Sequence, residues 1–284
     1  MKKLDDCRLY VITGENYHPG RSLLDVMERA LIGGADILQL RAKETPKREV
    51  LAQAYALREL TQRYGVPFII NDHIDIALAV GADGVHLGQD DLPLAEARRI
   101  LGPDKIIGIS THHIDQALDA ERGGADYIGV GPVYPTGTKP GRKAVTTDYV
   151  REAAQRVRLP FVAIGGITLD NVDAVLEAGA VRICAVSAIV GSEDPAEACR
   201  TFLHHIRLKQ MDHLIAGSTC TVCVNGREER TSARTVLELV EQLNLSGKRM
   251  VVELNGEIVP HERWGAAPIA DGAVLELVHF VGGG

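Results

Sequence analysis

Basic residues do not predominate in this sequence: 31 Lys and Arg stand against 38 Asp and Glu, a formal net charge of −7. General nucleic-acid binding needs a basic face, so that class is set aside. No apolar run is long enough to cross a bilayer, and no membrane role is expected. The first residues, Met1-Lys2-Lys3-Leu4-Asp5-Asp6, lack the apolar stretch of a secretion signal, so the expected location is the cytoplasm. Cysteine is scarce. The five, at 7, 184, 199, 220 and 223, are an odd set best read as free thiols in a reducing compartment. Cys220 and Cys223 form a C-x-x-C inside a short strand-like run, where residues three apart point to opposite faces. That favours a structural role over a metal or redox one.

What is present is room for a core and a repeat. The 284 residues are 45% hydrophobic, enough for one large domain or two unequal ones. Gly34-Ala35-Asp36, Gly81-Ala82-Asp83, Gly124-Ala125-Asp126 and Gly179-Ala180-Val181 each close a helix-like segment and precede an apolar run. Glycine fits a helix C-terminus because it accepts a left-handed conformation. Between the repeats lie further runs at 67–70, 106–109 and 160–164, and Leu9-Tyr10-Val11-Ile12 opens the series. Eight short, apolar strands, each followed by a helix, predict an α/β fold of the (β/α)8 TIM-barrel type over residues 1–208. A doubly wound open sheet is the alternative.

The pattern stops near Lys209. Residues 209–218 have no clear period and read as a linker. From 219 to 284 the grammar changes. Thr221-Val222-Cys223-Val224 runs into Asn225-Gly226, a hairpin turn signal. Thr235–Leu243 has helical spacing, with Val236, Leu239, Val240 and Leu243 on one face. Strands at Met250–Leu254 and Ala273–Phe280 complete a small α+β domain of β-grasp, ubiquitin-like type.

Barrel chemistry sits at the carboxyl ends of the strands. The cations Arg41, Lys43 and Lys139 and the carboxylates Asp72 and Asp91 fall at strand ends in this sequence. Cations with hydroxyls and open glycine backbone suit phosphate oxygens, and two carboxylates beside phosphate suit Mg²⁺. Gly165-Gly166 after strand seven and Val186-Ser187 after strand eight occupy the usual monophosphate position of such barrels. Each residue has a plainer reading as a solvated charge or a simple turn. Asp90 fits that reading, and His86 and His112 read as structural. The joint occurrence along seven successive strand ends weighs against it for the rest.

At these residues the barrel resembles the thiamine-phosphate synthase family. The motifs are Gln-Leu-Arg-x-Lys at 39–43, Asn71-Asp72, His-Leu-Gly-Gln-x-Asp at 86–91, Gly-x-Ser-Thr-His at 108–112, Pro-Thr-x-Thr-Lys at 135–139, Ile-Gly-Gly-Ile at 164–167 and Val-Ser-Ala-Ile at 186–189. The resemblance implies condensation of hydroxymethylpyrimidine diphosphate with a thiazole phosphate. By the same resemblance Gln39, Arg41, Lys43 and Asn71 hold the pyrimidine diphosphate, and Asp72 and Asp91 hold Mg²⁺. Ser110 and Lys139 contact the diphosphate end and, with Arg41, form the implied catalytic set. Thr136, Thr138, Gly166, Val186 and Ser187 seat the thiazole phosphate. Two rivals stand beside this reading: a thiazole tautomerase of the same superfamily, using His112 for proton transfer, and a non-catalytic phosphate-binding module.

The last residues, Val281-Gly282-Gly283-Gly284, are either a frayed glycine end or a carrier tail. Val-Asn-Gly at 224–226, Leu-Asn-Gly-Glu-Ile-Val-Pro at 254–260, Trp264, Asp271-Gly272 and the Gly-Gly end resemble the sulfur-carrier protein of thiamine biosynthesis. The molybdopterin carrier is the related alternative. The resemblance implies that an ATP-dependent activating enzyme adenylates Gly284, that sulfur replaces the adenylate as a thiocarboxylate, and that thiazole synthase receives it.

Overall fold

The repeat glycines do close helices. Each takes a positive φ, from 63° at Gly81 to 103° at Gly179. The next residue then donates its N–H back across the last turn: Ala35 to Ala30, Ala82 to Ala77, Ala125 to Ala120 and Ala180 to Val175. This is the left-handed closure that only a residue without Cβ adopts cheaply.

The computed structural model describes residues 4–136, 144–217, 219–248 and 250–279. Thr138, Lys139 and Gly284, named above, lie outside the described residues. Contacts divide the chain into two units, Met1–Lys209 and Gln210–Gly284.

In the first unit the order is β1 (Leu9–Ile12), α1 (Leu23–Ile32), β2 (Ile37–Leu40), α2 (Lys47–Tyr64), β3 (Phe68–Asn71), α3 (Ile74–Ala79), β4 (Gly84–Leu87) and α4 (Leu94–Leu101). It continues with β5 (Ile106–Thr111), α5 (Ile114–Arg122), β6 (Tyr127–Val130), α6 (Thr146–Arg156), β7 (Phe161–Ile164), α7 (Val172–Glu177), β8 (Ile183–Ala185), α8 (Ser187–Val190) and α9 (Pro195–Gly217). Strands β1 to β8 pair in sequence order, all parallel, and β8 returns to β1. The barrel is therefore closed, and the open-sheet alternative falls.

Alternation sorts each strand into two layers. Outward side chains such as Leu9, Val11, Leu38, Phe68 and Ile70 join the shell between strands and helices. Inward ones form a separate cluster of Tyr10, Ile12, Ile37, Ile69, Tyr127, Val162 and Cys184. Gly108 makes room inside: a Cβ there would sit 2.1 Å from the Tyr127 ring.

The repeat aspartates secure the amino end of the barrel. Asp36 Oδ2 accepts the N–H groups of Arg8 and Leu9, at 2.7 and 2.9 Å. Asp83 accepts Phe68 N–H and an Arg58 ion pair at 2.7 Å. Asp126 accepts Ile107 N–H and Arg98. Each carboxylate thus pins the start of a strand that comes earlier in the chain.

The expected unstructured linker is different in the structure. Helix α9 continues through Gly217, covering most of residues 209–218. No glycine or proline interrupts residues 196–216, and Leu, Lys, Gln, Met and Ala are good helix formers. Amphipathic period ends there, but helix propensity does not.

The second unit holds β9 (Cys220–Val224), β10 (Arg227–Thr231), α10 (Val236–Gln242), β11 (Met250–Leu254), β12 (Glu257–Val259) and β13 (Val274–His279). The sheet order is β10-β9-β13-β11-β12, with β9 and β13 parallel in the middle. Asn225 and Gly226 both have positive φ, 49° and 77°, as the tight β9–β10 turn requires. Asn255-Gly256 repeats the device and introduces β12, a strand the sequence pattern did not reveal. The Thr235 side chain caps α10 by accepting from Glu238 N–H. Val236, Leu239 and Val240 enter a core with Val222, Trp264 and Leu275. Cys220 is buried and Cys223 half-buried, and all five cysteines are free thiols.

Candidate active site

At the carboxyl end of the strands the inward positions turn polar. Gln39 lies two residues after Ile37, Asn71 two after Ile69, and His86 and Ser110 end similar series. They line a solvent-open cleft of about 900 Å³ of empty space, together with Arg41, His112, Thr136, Gly166, Val186 and Ser187. Arg41 and Asn71 also line a second, adjoining cleft with Lys43, Asp72, Gln89, Asp90 and Asp91. All the sequence-predicted site residues that the structure describes fall on these two clefts.

In the acidic cleft Lys43 Nζ lies 3.0 Å from Asp72 Oδ2. Burial pushes the Asp72 carboxyl above its ordinary range, and the neighbouring Asp91 carboxylate pushes the same way while Lys43 opposes both. Lys43 beside two crowded carboxylates makes a cleft of mixed charge, an electrostatic setting that a divalent cation fits. Asp91 is held in place by the Gly88 N–H, which donates to its Oδ2 at 2.6 Å. Asp72 itself sits at φ 62°, a strained value for a residue with a Cβ.

At the opposite side of the rim, Gly165 and Gly166 take φ values of 101° and 64°. A Cβ on Gly166 would lie 2.6 Å from the Pro135 carbonyl oxygen. Asn171 fixes this loop, donating to the Gly166 carbonyl and accepting from Thr168 N–H. Ser187 opens helix α8. Backbone turned open between glycines and a helix start is a site where an anion can approach closely.

Two supporting residues were missed in the sequence. Glu15, in the loop after β1, accepts from the N–H of Lys43 at 3.1 Å, of Glu44 at 3.3 Å and from Thr45 Oγ1 at 2.5 Å. These bonds hold its carboxyl below the usual range, against an opposing contribution from burial. Thr13 Oγ1 accepts Arg41 N–H and donates to the Arg41 carbonyl. The loop after β1 thereby clamps the loop carrying both cations. A local sequence scan carries no signal for either, since the partners are about thirty positions apart.

His112 Nδ1 meets the Gly131 carbonyl at 2.5 Å, which anchors the ring to the backbone. His86 is tied between Tyr127 and Ser110.

A closed (β/α)8 barrel with a polar cleft at its strand ends defines a barrel enzyme, here joined to a small β-grasp unit. The chain belongs to the thiamine monophosphate synthase family, whose pattern matches residues 9–189, and residues 218–284 match the ThiS family. It is 61% identical over 198 residues to thiamine-phosphate synthase of Halalkalibacterium halodurans, covering 69% of this chain and 94% of that protein. It is 57% identical to that of Shouchella clausii over 69% and 94% of the two chains. The structure of thiamine phosphate pyrophosphorylase from Pyrococcus furiosus superposes with a TM-score of 0.67 at 38% identity, covering 72% of this chain and 98% of that one. The first unit is a thiamine-phosphate synthase and the second a sulfur-carrier unit of the ThiS family. These likenesses favour the synthase over the tautomerase and the non-catalytic module.

Proposed function

We propose that the barrel joins hydroxymethylpyrimidine diphosphate to thiazole phosphate, releasing diphosphate and forming thiamine phosphate. The observation that carries this is the pairing of an acidic, lysine-bearing cleft with an open glycine loop across one rim. Gln39 and Asn71 seat the pyrimidine, and Arg41 and Lys43 take the diphosphate oxygens. Lys139 acts at the diphosphate end, and Ser110 where that end meets the pyrimidine. Thr136, Thr138, Gly166, Val186 and Ser187 receive the thiazole phosphate.

Asp72 and Asp91 fit Mg²⁺, which typically uses one or two carboxylates and completes its shell with water and phosphate. When bound it would stabilise the charge that develops on the departing diphosphate. Arg41, Lys43 and Lys139 neutralise the same charge. The aminopyrimidine is electron-rich enough to stabilise the methylene cation left behind. The attacking thiazole nitrogen carries no proton, so no general base is needed, and the backbone-anchored His112 accords with that. The test is thiamine phosphate formation followed by mass spectrometry, with and without Mg²⁺. Turnover should require both phosphorylated substrates and collapse on chelation. Turnover unchanged by chelation would overturn the metal assignment.

The carrier unit is proposed to bear sulfur as a thiocarboxylate on Gly284, formed through an adenylate by an ATP-dependent activating enzyme and passed to thiazole synthase. A side-chain-free tail is what a narrow adenylating channel admits. Incubation with activating enzyme, ATP and a sulfur donor should exchange one oxygen for sulfur on the intact chain. A residue added after Gly284 should block this, and equal sulfuration of the extended chain would rule the assignment out. We propose residues 1–208 and 219–284 as the two functional domains, working independently of each other in the cytoplasm. A chain ending at Lys209 should then retain synthase turnover.

A further inference from the structure

Beneath the cleft, a line of polar side chains crosses the barrel interior. Gln39 Nε2 donates to Tyr10 Oη at 2.8 Å. Tyr10 Oη and Tyr127 Oη lie 2.9 Å apart. Tyr127 Oη meets His86 Nδ1 at 2.9 Å, and His86 Nε2 meets Ser110 Oγ at 2.9 Å. Five strands, β2, β1, β6, β4 and β5, each contribute one member. Tyr10 and Tyr127 are 3% and 1% exposed, among Ile12, Ile37, Ile69, Val162 and Cys184. Phenylalanine would pack there without desolvating a hydroxyl. The barrel instead leaves out a side chain at Gly108 to admit the Tyr127 ring. Burial holds both phenols well above their ordinary pKa, so each keeps its single proton.

One proton per hydroxyl gives the line a direction. The Gln39 N–H occupies a lone pair of Tyr10, so the Tyr10 proton goes to Tyr127. Tyr127 then donates to His86 Nδ1, and His86 donates from Nε2 to Ser110 Oγ. The Ser110 hydroxyl proton is left to point elsewhere, and both Ser110 and Gln39 line the cleft. Turning the Gln39 amide over would reverse every member. The two ends therefore always offer opposite partners, and in the observed orientation Gln39 offers an acceptor and Ser110 a donor.

We propose that Tyr10, Tyr127 and His86 are positioning residues that hold Gln39 and Ser110 to opposite hydrogen-bonding senses, and so, with the Gln39 amide oriented as observed, make the barrel select an amino-bearing over an oxo-bearing pyrimidine. An aminopyrimidine presents an amine donor and a ring-nitrogen acceptor; the oxo form presents the inverse pair. A site built for one pattern rejects the other strongly, because its buried polar groups are left unmatched. The proposal rests on the synthase reading above.

The test uses the full chain and the variants Tyr127→Phe and Tyr10→Phe, which keep ring volume and break the line at different links. Wild type is assayed with the 4-amino and 4-oxo pyrimidinylmethyl diphosphates. Its turnover of the amino substrate checks the synthase reading by itself. In Tyr127→Phe, KM for the amino substrate should rise roughly 10- to 100-fold with a smaller change in kcat, as loss of a buried hydrogen-bond partner predicts. Preference for amino over oxo should fall at least about tenfold. KM for thiazole phosphate should not move, since that group binds at the glycine loop, which the line does not touch. Tyr10→Phe should behave alike, and it supplies the answer should Tyr127→Phe fail to fold. The ¹⁵N shifts of His86 in wild type should report the Nε2–H tautomer. Unchanged selectivity in a folded variant, or equal loss toward both pyrimidines and thiazole phosphate, would overturn the proposal.

Discussion

Aspartates stand at both ends of the barrel, and the two sets live under opposite conditions. At the amino end Asp36, Asp83 and Asp126 are each satisfied by backbone N–H groups, with Arg58 and Arg98 added for the last two. At the carboxyl end Asp72 and Asp91 crowd one another with Lys43 beside Asp72, and Asp72 is pushed up by burial and by Asp91. The first set closes the structure and offers little to a ligand. The second crowds two carboxylates on an open cleft, with backbone strain at Asp72, where a ligand can meet them. Residue type alone does not separate function from stability; the strand end does.

Substitution at each end should therefore fail in a different way. The largest effect is expected at Asp91. Asp91→Ala should lower turnover on the order of 10²- to 10³-fold, as removal of one electrostatic contact to a transition state does, with little change in melting temperature. Asp90→Ala should be mild. Steady-state rates and thermal melts on both variants check this, and equal activity of Asp91→Ala and wild type would remove the distinction between the two ends.

Asp83→Ala should give the mirror result. Its carboxylate pairs with a mostly buried Arg58 and caps the start of β3. Removing one partner of such a pair costs about 3 kcal/mol. That predicts a melting point lower by roughly 6–12 °C for a unit of this size, with kcat unchanged at 25 °C. A loss of kcat in the still-folded variant would show that the amino end is not purely structural.

Glu15→Ala sharpens the comparison within the rim. Glu15 faces no ligand directly in this account, yet it fixes the loop that aims Lys43. We expect KM for the pyrimidine diphosphate to rise about tenfold through loosened positioning, with KM for thiazole phosphate unaffected. Parallel changes in both constants would instead mean a general disturbance of the rim.

These cases show what the sequence could and could not convey. The repeat was legible because Gly-Ala-Asp recurs at fixed places and each piece acts within one helix-strand unit. Gln39, Asn71, His86 and Ser110 could be placed at strand ends because a polar residue followed an apolar run, and the structure draws them into the last positions of β2 to β5. The Asn225-Gly226 turn was equally local. Pairings between distant positions were not legible: Glu15 with Lys43, Asp83 with Phe68, and Tyr10 with Tyr127, 117 residues later. Tyr10 looked like one more apolar strand residue. Its hydroxyl acquires meaning only when closure of the barrel brings β6 opposite β1. The helical course of residues 209–217 was missed for another reason, since propensity persisted there after the amphipathic pattern had stopped.

The smallest effect should come from the repeat glycines, and here four copies of one motif separate. All four have positive φ, so alanine at any of them carries a backbone cost of about 1 kcal/mol. Around Gly81 and Gly124 a new Cβ meets nothing within 4 Å. At Gly34 it would lie 2.8 Å from Leu203 Cδ1, and at Gly179 2.8 Å from Ala154 Cβ. Gly124→Ala should therefore lower the melting point by only about 2–4 °C, the backbone cost alone. Gly179→Ala should lose more, because the Ala154 methyl belongs to the rigid α6 helix and cannot swing aside as the end of Leu203 can. Both lie at the amino end of the strands, so neither should alter KM for either substrate. Thermal melts of the two variants measure the difference. Equal losses would mean that backbone conformation, and not the space around the glycine, sets the cost at every repeat.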